Sequence, residues 1–211
     1  ALPLTAEKIA LFGAGAADTV TCGTGSGYAA APYTVNVMEG LTAAGLELTS
    51  MTWLNRFTAA SQKANEEDTT LTPIKRMWSG LRILIDDLEI TGAELKEARA
   101  ADTAIYVIRR SAGENGDRKA EKGDYYLSDT ERRNLEILGA NFEKTIVVLN
   151  TCVIDACFIE EIPGLDALLY MGLAGNESGN ALADILTGKV CPGGRLTDTW
   201  ARKYSDYPAS G

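Results

Sequence analysis

The sequence predicts an α/β protein, a three-layer α/β/α sandwich around a mostly parallel sheet. Two observations predict this fold. Short apolar runs rich in β-branched residues recur along the chain, as is typical of parallel strands covered on both faces. Helix-like periodic segments separate these runs, and this alternation favours a parallel sheet with helices on both sides. Because 211 residues with 45% hydrophobic content suit one large domain, we assign residues 1–211 to a single domain.

Five runs have the composition of strands. They are KIALFG (8–13), LELTS (46–50), TAIYVI (103–108), TIVVLN (145–150) and DALLYM (166–171). In a sheet of parallel strands, ligand sites collect at the carboxyl ends of the strands. The residues that follow these five runs are therefore the candidates for function.

Helix starts and stops divide the segments between the strands. Ser128 and Glu131 have the spacing of a capping box, and so do Thr91 and Glu94. Gly45 follows the periodic segment VNVMEGLTAA and predicts a left-handed cap at the end of a helix. These signals place helices between the predicted strands, as the sandwich requires.

Charge and residue usage exclude several classes of function. The formal net charge of -9 would repel nucleic acid and anionic membrane surfaces, so we expect neither as a partner. No apolar run is long enough to cross a bilayer, and the N-terminal residues lack the basic region of a signal peptide. The chain contains no histidine, which excludes Ser-His-Asp and Cys-His catalysis and the usual zinc sites.

The four cysteines form no CxxC pair. Cys22, Cys152, Cys157 and Cys191 are predicted to be small buried or half-buried residues rather than a disulfide framework. This pattern fits a reducing compartment. We therefore expect a cytoplasmic bacterial protein, although the sequence is also compatible with a secreted parent protein.

A glycine-rich stretch, GAGAADTVTCGTGSG (13–27), follows the first predicted strand. Gly13 and Gly15 match the first two glycines of a dinucleotide-binding pattern, but Asp18 occupies the third position. No acidic residue ends the second strand, and no Gly-Lys-Ser/Thr follows GTGSG, so a phosphate-binding loop is not favoured either. We interpret these glycines as turn residues in preference to a nucleotide site.

A lone carboxylate lies just beyond the strand TAIYVI. Glu114 is flanked by Gly113 and Gly116, which would let the loop hold the carboxylate above the sheet where a substrate would lie. From the residues alone, a solvated loop glutamate is the simpler interpretation, because one carboxylate cannot complete most reactions. Asp117 and Arg118 are predicted to form a local ion pair that fixes the loop.

Several motifs in a fixed order carry a resemblance to a known family. They are KIALFGAGA with GTGSG, then SAGENGDRKAEKGDYYLSDTE, TIVVLN, GLAGNESGNALADILTG and CPGGRLTDTW. Together they resemble the α/β-sandwich domain of glycoside hydrolase family 3, the β-glucosidase family. The resemblance extends from Leu2 to Pro208. The stretch 53–88 matches less closely and is predicted to be a mostly helical insertion.

The resemblance implies a role for Glu114. In that family a (β/α)8 barrel supplies an aspartate nucleophile, and a loop of the sandwich domain supplies the general acid/base, at the position that Glu114 occupies here. It also implies a β-linked glucoside or related oligosaccharide as substrate, with no metal and no organic cofactor. The residues implied to position or bind the substrate are Asn115, Asp117, Arg118, Gly25 and Ser26.

The chain contains neither a barrel nor the Ser-Asp-Trp nucleophile motif, so it is expected to hold half of an active site, with the barrel domain of the same enzyme as its partner. GTGSGYAAA replaces the GTGSGDV expected in close relatives. In the motif YMGLAGNESG, Leu173 and Ala174 occupy positions where the family usually has an aromatic or proline-containing sequence. These departures bear on substrate preference and leave the fold assignment intact. The competing hypothesis is a non-catalytic carbohydrate-binding or scaffold module of the same fold.

We expect the isolated chain to fold but not to hydrolyse aryl β-glycosides, because a retaining glycosidase needs two carboxyl groups at the reacting bond. The test is an assay of the purified chain against a panel of nitrophenyl β-glycosides, before and after addition of a separately expressed barrel. Turnover by the chain alone that is abolished in Glu114→Gln would contradict the prediction.

Overall fold

The sheet contains parallel strands in the order β2-β1-β3-β4-β5. The computed structural model describes residues 2–111, 113–114 and 117–208, apart from the side chains of residues 77 and 78. The strands are β1 (Lys8–Phe12), β2 (Glu47–Leu48), β3 (Thr103–Arg109), β4 (Lys144–Asn150) and β5 (Ala167–Tyr170).

Helices fill most of the connections between these strands. They are α1 (Ala14–Ala17), α2 (Val37–Ala43), α3 (Met51–Glu67), α4 (Pro73–Ser79), α5 (Gly92–Ala98), α6 (Asp129–Asn141), α7 (Phe158–Glu161) and α8 (Ser178–Leu186). Two 3-10 turns, Gly25–Gly27 and Tyr204–Asp206, lie in the loops. Among the described helices, none combines the length and apolar character needed to span a membrane.

The strand order explains the layers. The chain steps from β1 to β2 on one side and then returns past β1 to β3, β4 and β5 on the other. Because crossovers between parallel strands are right-handed, connections that run in opposite directions cover opposite faces of the sheet. Accordingly, α2 packs against α8 on one face, and α6 packs against β3 and β4 on the other. The predicted three-layer sandwich is confirmed.

The hydrophobic core is centred on β3. Every residue of β3 is buried, and the strand pairs with β4 along its full length and with β1 on its other side. Trp53 of α3 stacks on Phe57 with ring centroids 5.4 Å apart, and its edge meets Phe12 at 5.6 Å. Both faces of the central strands are covered. This explains why the strands appear in the sequence as continuous apolar runs rather than as an alternation of apolar and polar residues.

Most predicted elements are observed close to their predicted bounds. Both predicted capping boxes form, the first at Thr91 and Glu94 and the second at Ser128 and Glu131. The run LELTS contributes only the two-residue strand β2. Helices α3 and α4 occupy much of the stretch 53–88, whereas residues 81–90 form neither helix nor strand. That the stretch 53–88 is a helical insertion remains a prediction.

The four cysteines are free thiols, as predicted. Cys22 and Cys157 are half-buried, but Cys152 and Cys191 are exposed, so the prediction that all four are sheltered was wrong for two of them. Both exposed cysteines follow a strand or a helix in loops at the surface, where burial depends on the path of the chain rather than on residue type.

Two buried polar side chains fix the irregular segment 81–90 against the sheet. Asn134 of α6 accepts from the Ile90 amide at 3.0 Å and donates to the Leu88 carbonyl at 2.9 Å. Asp87 accepts from the Tyr106 hydroxyl at 2.6 Å and from the Ala14 amide at 3.1 Å. Burial raises the pKa of Asp87 from 3.8 to about 6, although the hydrogen bond from Tyr106 opposes the shift.

Replacement of Asp87 by Asn should change how the free energy of unfolding depends on pH. Because the folded-state pKa is raised, the stability that the protonated carboxyl contributes is present below pH 3.8 and is lost as pH rises through about 6. Between pH 4 and pH 7, the wild type should lose about 2 kcal/mol relative to Asp87→Asn, since each pKa unit corresponds to about 1.4 kcal/mol and the unfolded carboxyl is already partly ionised at pH 4. Urea unfolding at both pH values measures the difference. Parallel pH profiles would contradict it.

Candidate functional site

The candidate site lies where the strand order reverses, at the carboxyl ends of β1 and β3. The chain leaves these two adjacent strands in opposite directions, which opens a crevice at this edge of the sheet. The segment after β1 that faces the crevice is residues 18–34, here termed the β1 loop. The segment after β3 is residues 110–128, here termed the β3 loop. Both loops carry residues that the sequence singled out.

The two loops touch at the predicted catalytic residue. Thr24 and Gly113 form an isolated parallel bridge, and the Ser26 hydroxyl donates a hydrogen bond to the Glu114 carboxylate. The fold brings Ser26 and Glu114 together although they lie 88 residues apart in the sequence. Glu114 itself is exposed at the mouth of the crevice. Gly25 and Ser26, which the resemblance implied to bind substrate, therefore lie beside Glu114, and their contact with substrate remains a prediction.

Two glycines make this approach possible. Gly25 has φ +68°, and a Cβ at this position would lie 2.4 Å from Oε2 of Glu114. Gly113 has φ +129°, and its Cβ would lie 2.5 Å from the Thr24 amide nitrogen. Any side chain at either position would combine backbone strain with a steric clash. Both glycines therefore allow close contact between the loops, and the positive φ of Gly25 agrees with the turn role predicted for the glycines of 13–27.

The contact with Ser26 sets the charge of Glu114 in this chain. The hydrogen bond from the Ser26 hydroxyl, together with one from the Ser26 amide, holds the pKa of Glu114 below its ordinary value of 4.5. Hydrogen bonds to a carboxylate stabilise the charged form and make it harder to protonate. Glu114 is therefore ionised at neutral pH in the geometry that the structure shows.

A buried ion pair fastens the base of the β3 loop. The guanidinium of Arg110 donates to both oxygens of Glu131, at 2.6 Å and 2.7 Å, and its Nε donates to the Asp124 carbonyl at 2.8 Å. Both side chains are less than 9% exposed. Glu131 also completes the capping box with Ser128 at the start of α6. One carboxylate therefore links the end of β3, the end of the loop and the next helix.

Arg118 closes the loop on itself, but with a partner that the sequence did not predict. Its guanidinium pairs with Asp124 at 2.6 Å and also donates to the Ser111 carbonyl. The predicted pair between Asp117 and Arg118 was wrong, because the loop turns back and places Asp124 beneath the arginine while Asp117 is exposed. Asn115, predicted to contact substrate, lies outside the described residues.

The residues that sequence reasoning missed are Arg110 and Asp124. Arg110 directly follows β3 and is only 8% exposed. Its burial was not predicted, because a charged residue at the end of a strand is ordinarily exposed. Glu131 was predicted only as the capping-box partner of Ser128 at the start of a helix. The spacing from Ser128 to Glu131 was visible, whereas the ion pair joins residues 21 positions apart.

A cavity of about 360 Å³ adjoins the contact between the two loops. Its wall includes Thr24 and Cys22 of the β1 loop, Arg82 of the irregular segment and Ser111 of the β3 loop. Arg82 is paired with Asp18, so its charge is partly compensated. In the part of the chain that the structure describes, no group of three or more Cys, Asp or Glu side chains is placed to hold a metal ion.

The fold and the site define an α/β-sandwich domain that presents one carboxylate on a glycine-flanked loop at a strand switch point. The sequence matches the description "Glycosyl hydrolase family 3 C-terminal domain" over residues 1–211. The chain belongs to this family.

Individual relatives agree with the assignment. The chain is 32% identical to β-glucosidase A of Butyrivibrio fibrisolvens over 228 residues, which cover 96% of this chain and 26% of that protein. It resembles the structure of β-glucosidase 3B from Thermotoga neapolitana in complex with glucose, with a TM-score of 0.85 and 34% identity over 99% of this chain and 29% of that one. A β-glucosidase structure from Paenibacillus barengoltzii gives a TM-score of 0.81 and 30% identity over 98% of this chain and 22% of that one. The chain thus spans about a quarter of the length of these relatives.

Replacement of Ser26 by Ala should raise the pKa of Glu114 toward 4.5, because the variant removes the hydroxyl that stabilises the carboxylate. The measurement is an NMR titration of the glutamate side-chain carboxyl carbons in the isolated chain, with Glu114→Gln used to assign the resonance. Asp117→Asn serves as the control, since Asp117 is an exposed neighbour on the same loop. An unchanged titration in Ser26→Ala, or an equal shift in Asp117→Asn, would contradict the prediction.

Proposed function

We propose that this chain supplies Glu114 as the general acid/base of a retaining β-glucosidase-like active site that a (β/α)8 barrel of the same enzyme completes. The observation that carries the proposal is the exposed Glu114 carboxylate, held at the switch-point crevice by contacts with Gly25 and Ser26. Membership of the family and relatives that are named β-glucosidases support the same chemistry. The proposed substrate is a β-linked glucoside or related oligosaccharide.

The proposed reaction needs two carboxyl groups about 5 to 5.5 Å apart. In the first step, the barrel carboxylate attacks the anomeric carbon while Glu114 gives its proton to the glycosidic oxygen, whose bond to that carbon breaks. In the second step, the Glu114 carboxylate takes a proton from water, which attacks the same carbon and releases the barrel carboxylate. Glu114 ends the cycle protonated, as it began.

The first step requires a protonated Glu114, which differs from its ionised state in this chain. Closure against a barrel would bury the carboxyl group and place it near a second carboxylate, and both effects raise the pKa of an acid. Ser26 acts in the opposite direction while its hydroxyl donates to Glu114. We therefore propose that assembly with the barrel weakens the bond between Ser26 and Glu114, leaving the Ser26 hydroxyl to the substrate.

The other predicted site residues separate into two groups under this proposal. Arg118 is engaged with Asp124 and Ser111, so we assign it to positioning of the β3 loop rather than to contact with a sugar. Gly25 serves the close approach of the two loops. Asp117 is exposed, and with Asn115 it remains a proposed rim residue.

A cytoplasmic location also remains a prediction, since the relatives come from both bacteria and fungi.

Replacement of Glu114 by Ala in the full-length protein tests the role. A general acid contributes about 10² to 10⁴ in rate, and its contribution grows as the leaving group becomes more basic. Hydrolysis of alkyl glucosides and cellobiose should therefore fall by about that factor, while formation of the glycosyl-enzyme from dinitrophenyl glycosides should fall much less. The glycosyl-enzyme should then accumulate, and azide, which needs no general base, should release it as the β-glycosyl azide.

Asp117→Ala is the matched control on the same loop. A rim residue should affect all leaving groups alike and show no response to azide. If Glu114→Ala slows all substrates equally without azide rescue while Asp117→Ala is rescued, the wrong carboxylate has been assigned. If the full-length wild type binds β-glucosides but hydrolyses none of them, the competing hypothesis of a non-catalytic module is favoured.

A further inference from the structure

The C-terminal segment of the chain, residues 200–207, runs back across the sheet edge to the β3 loop. Its first residue, Trp200, meets the ring of Tyr170 edge-on, with centroids 5.3 Å apart. Arg202 then pairs with Glu160 on α7 at 3.0 Å. The 3-10 turn Tyr204–Asp206 follows and lies against the β3 loop. The segment therefore connects the edge strand to the loop that carries Glu114.

Aromatic rings hold the end of this segment in place. Tyr125 of the β3 loop is 1% exposed and has the rings of Tyr126, Tyr204 and Tyr207 around it, at centroid distances of 5.1, 5.0 and 6.2 Å. Tyr125 lies outside the cluster of residues that makes up the main core. These four tyrosines form a small satellite cluster beneath the loop, termed here the tyrosine cluster. Two of its members belong to the loop and two to the C-terminal segment.

One member of the tyrosine cluster bonds directly to the backbone of the loop. The Tyr204 hydroxyl donates to the Arg118 carbonyl at 2.7 Å. The guanidinium of the same arginine bonds to Ser111, three positions before Glu114, and to Asp124 on the returning half of the loop. Tyr204 thus fixes the residue through which the two halves of the β3 loop are joined.

We propose that Tyr204 is a positioning residue for Glu114, acting through Arg118 and the tyrosine cluster; this inference rests on the proposed function. A hydrogen bond from the C-terminal segment limits where the arginine can place the loop, and so limits where the carboxylate lies relative to the glycosidic oxygen. Proton transfer requires the acid within hydrogen-bond reach of that oxygen, and a misplacement of about 1 Å can cost two orders of magnitude in rate. The C-terminal segment is therefore part of the catalytic apparatus, although it touches no reacting atom.

The experiment compares leaving groups in the full-length protein. Tyr204→Phe keeps the ring in the tyrosine cluster and removes only the hydroxyl. Loss of one hydrogen bond should lower kcat/KM for alkyl glucosides about three- to tenfold, while kcat/KM for dinitrophenyl glycosides stays within about twofold, because only the former depend on proton donation. Tyr204→Ala, which also removes the ring, should widen the difference between the two substrates.

Arg202→Ala is the matched control, because it loosens the same segment through an exposed ion pair that does not touch the loop. It should leave the ratio of the two kcat/KM values unchanged. A purely structural role for Tyr204 would lower the thermal midpoint in Tyr204→Phe without changing that ratio, and this result would overturn the proposal.

Glu114→Gln, measured on the same two substrates, separates the inference from the function on which it rests. A strong leaving-group dependence in Glu114→Gln, together with an unchanged ratio in Tyr204→Phe, would overturn the role of Tyr204 alone. Equal loss on both substrates in Glu114→Gln would overturn both. A changed ratio in Tyr204→Phe and in Glu114→Gln, with none in Arg202→Ala, is the result that supports the proposal.

Discussion

The arrangement of the site depends on the buried ion pair between Arg110 and Glu131. Arg110 is the first residue beyond the central strand, and its guanidinium reaches Glu131 at both oxygens while also bonding to the far end of the β3 loop. Removing one partner of such a pair leaves a buried charge without compensation, at a cost of about 3–5 kcal/mol. The pair therefore fixes the path of the loop at its base. The loop can reach out to Glu114 and return because both of its ends are fixed here.

The position of the loop follows from the topology of the sheet. The chain leaves β1 and β3 toward opposite faces, which opens a crevice at their carboxyl ends. Gly25 and Gly113 let the β1 and β3 loops meet within that space without a clash. The carboxylate of Glu114 consequently stays exposed to solvent while it accepts the hydrogen bond from Ser26. A carboxylate placed in this way is accessible to a second surface. The chain spans about a quarter of the length of the relatives that it matches.

The electrostatics of the site are those of a solvent-exposed carboxylate. Ser26 stabilises the charged form of Glu114, and the exposed position leaves water to do the same. Asp87 shows the contrast, because burial, with a smaller contribution from the charge of Glu131, raises its pKa to about 6 in spite of the hydrogen bond from Tyr106. The difference between the two carboxyls lies in their surroundings and not in the residue type. Enclosure of Glu114 by another surface would move it toward the behaviour of Asp87.

Local signals in the sequence predicted the layers and the start of α6: the strands from apolar runs, and the helix start from the spacing between Ser128 and Glu131. Glu114 was singled out as the candidate acid by the family resemblance, since its residues alone favoured a solvated loop glutamate. No local signal predicts that Arg118 pairs with Asp124 instead of Asp117, or that Tyr204 bonds to the loop from 86 residues away; both contacts depend on how the chain folds. Adjacent residues in an extended or turning loop can point apart, so proximity in sequence does not select an ion-pair partner. The path of the backbone makes that selection, and this path is set by packing between segments that are distant along the chain.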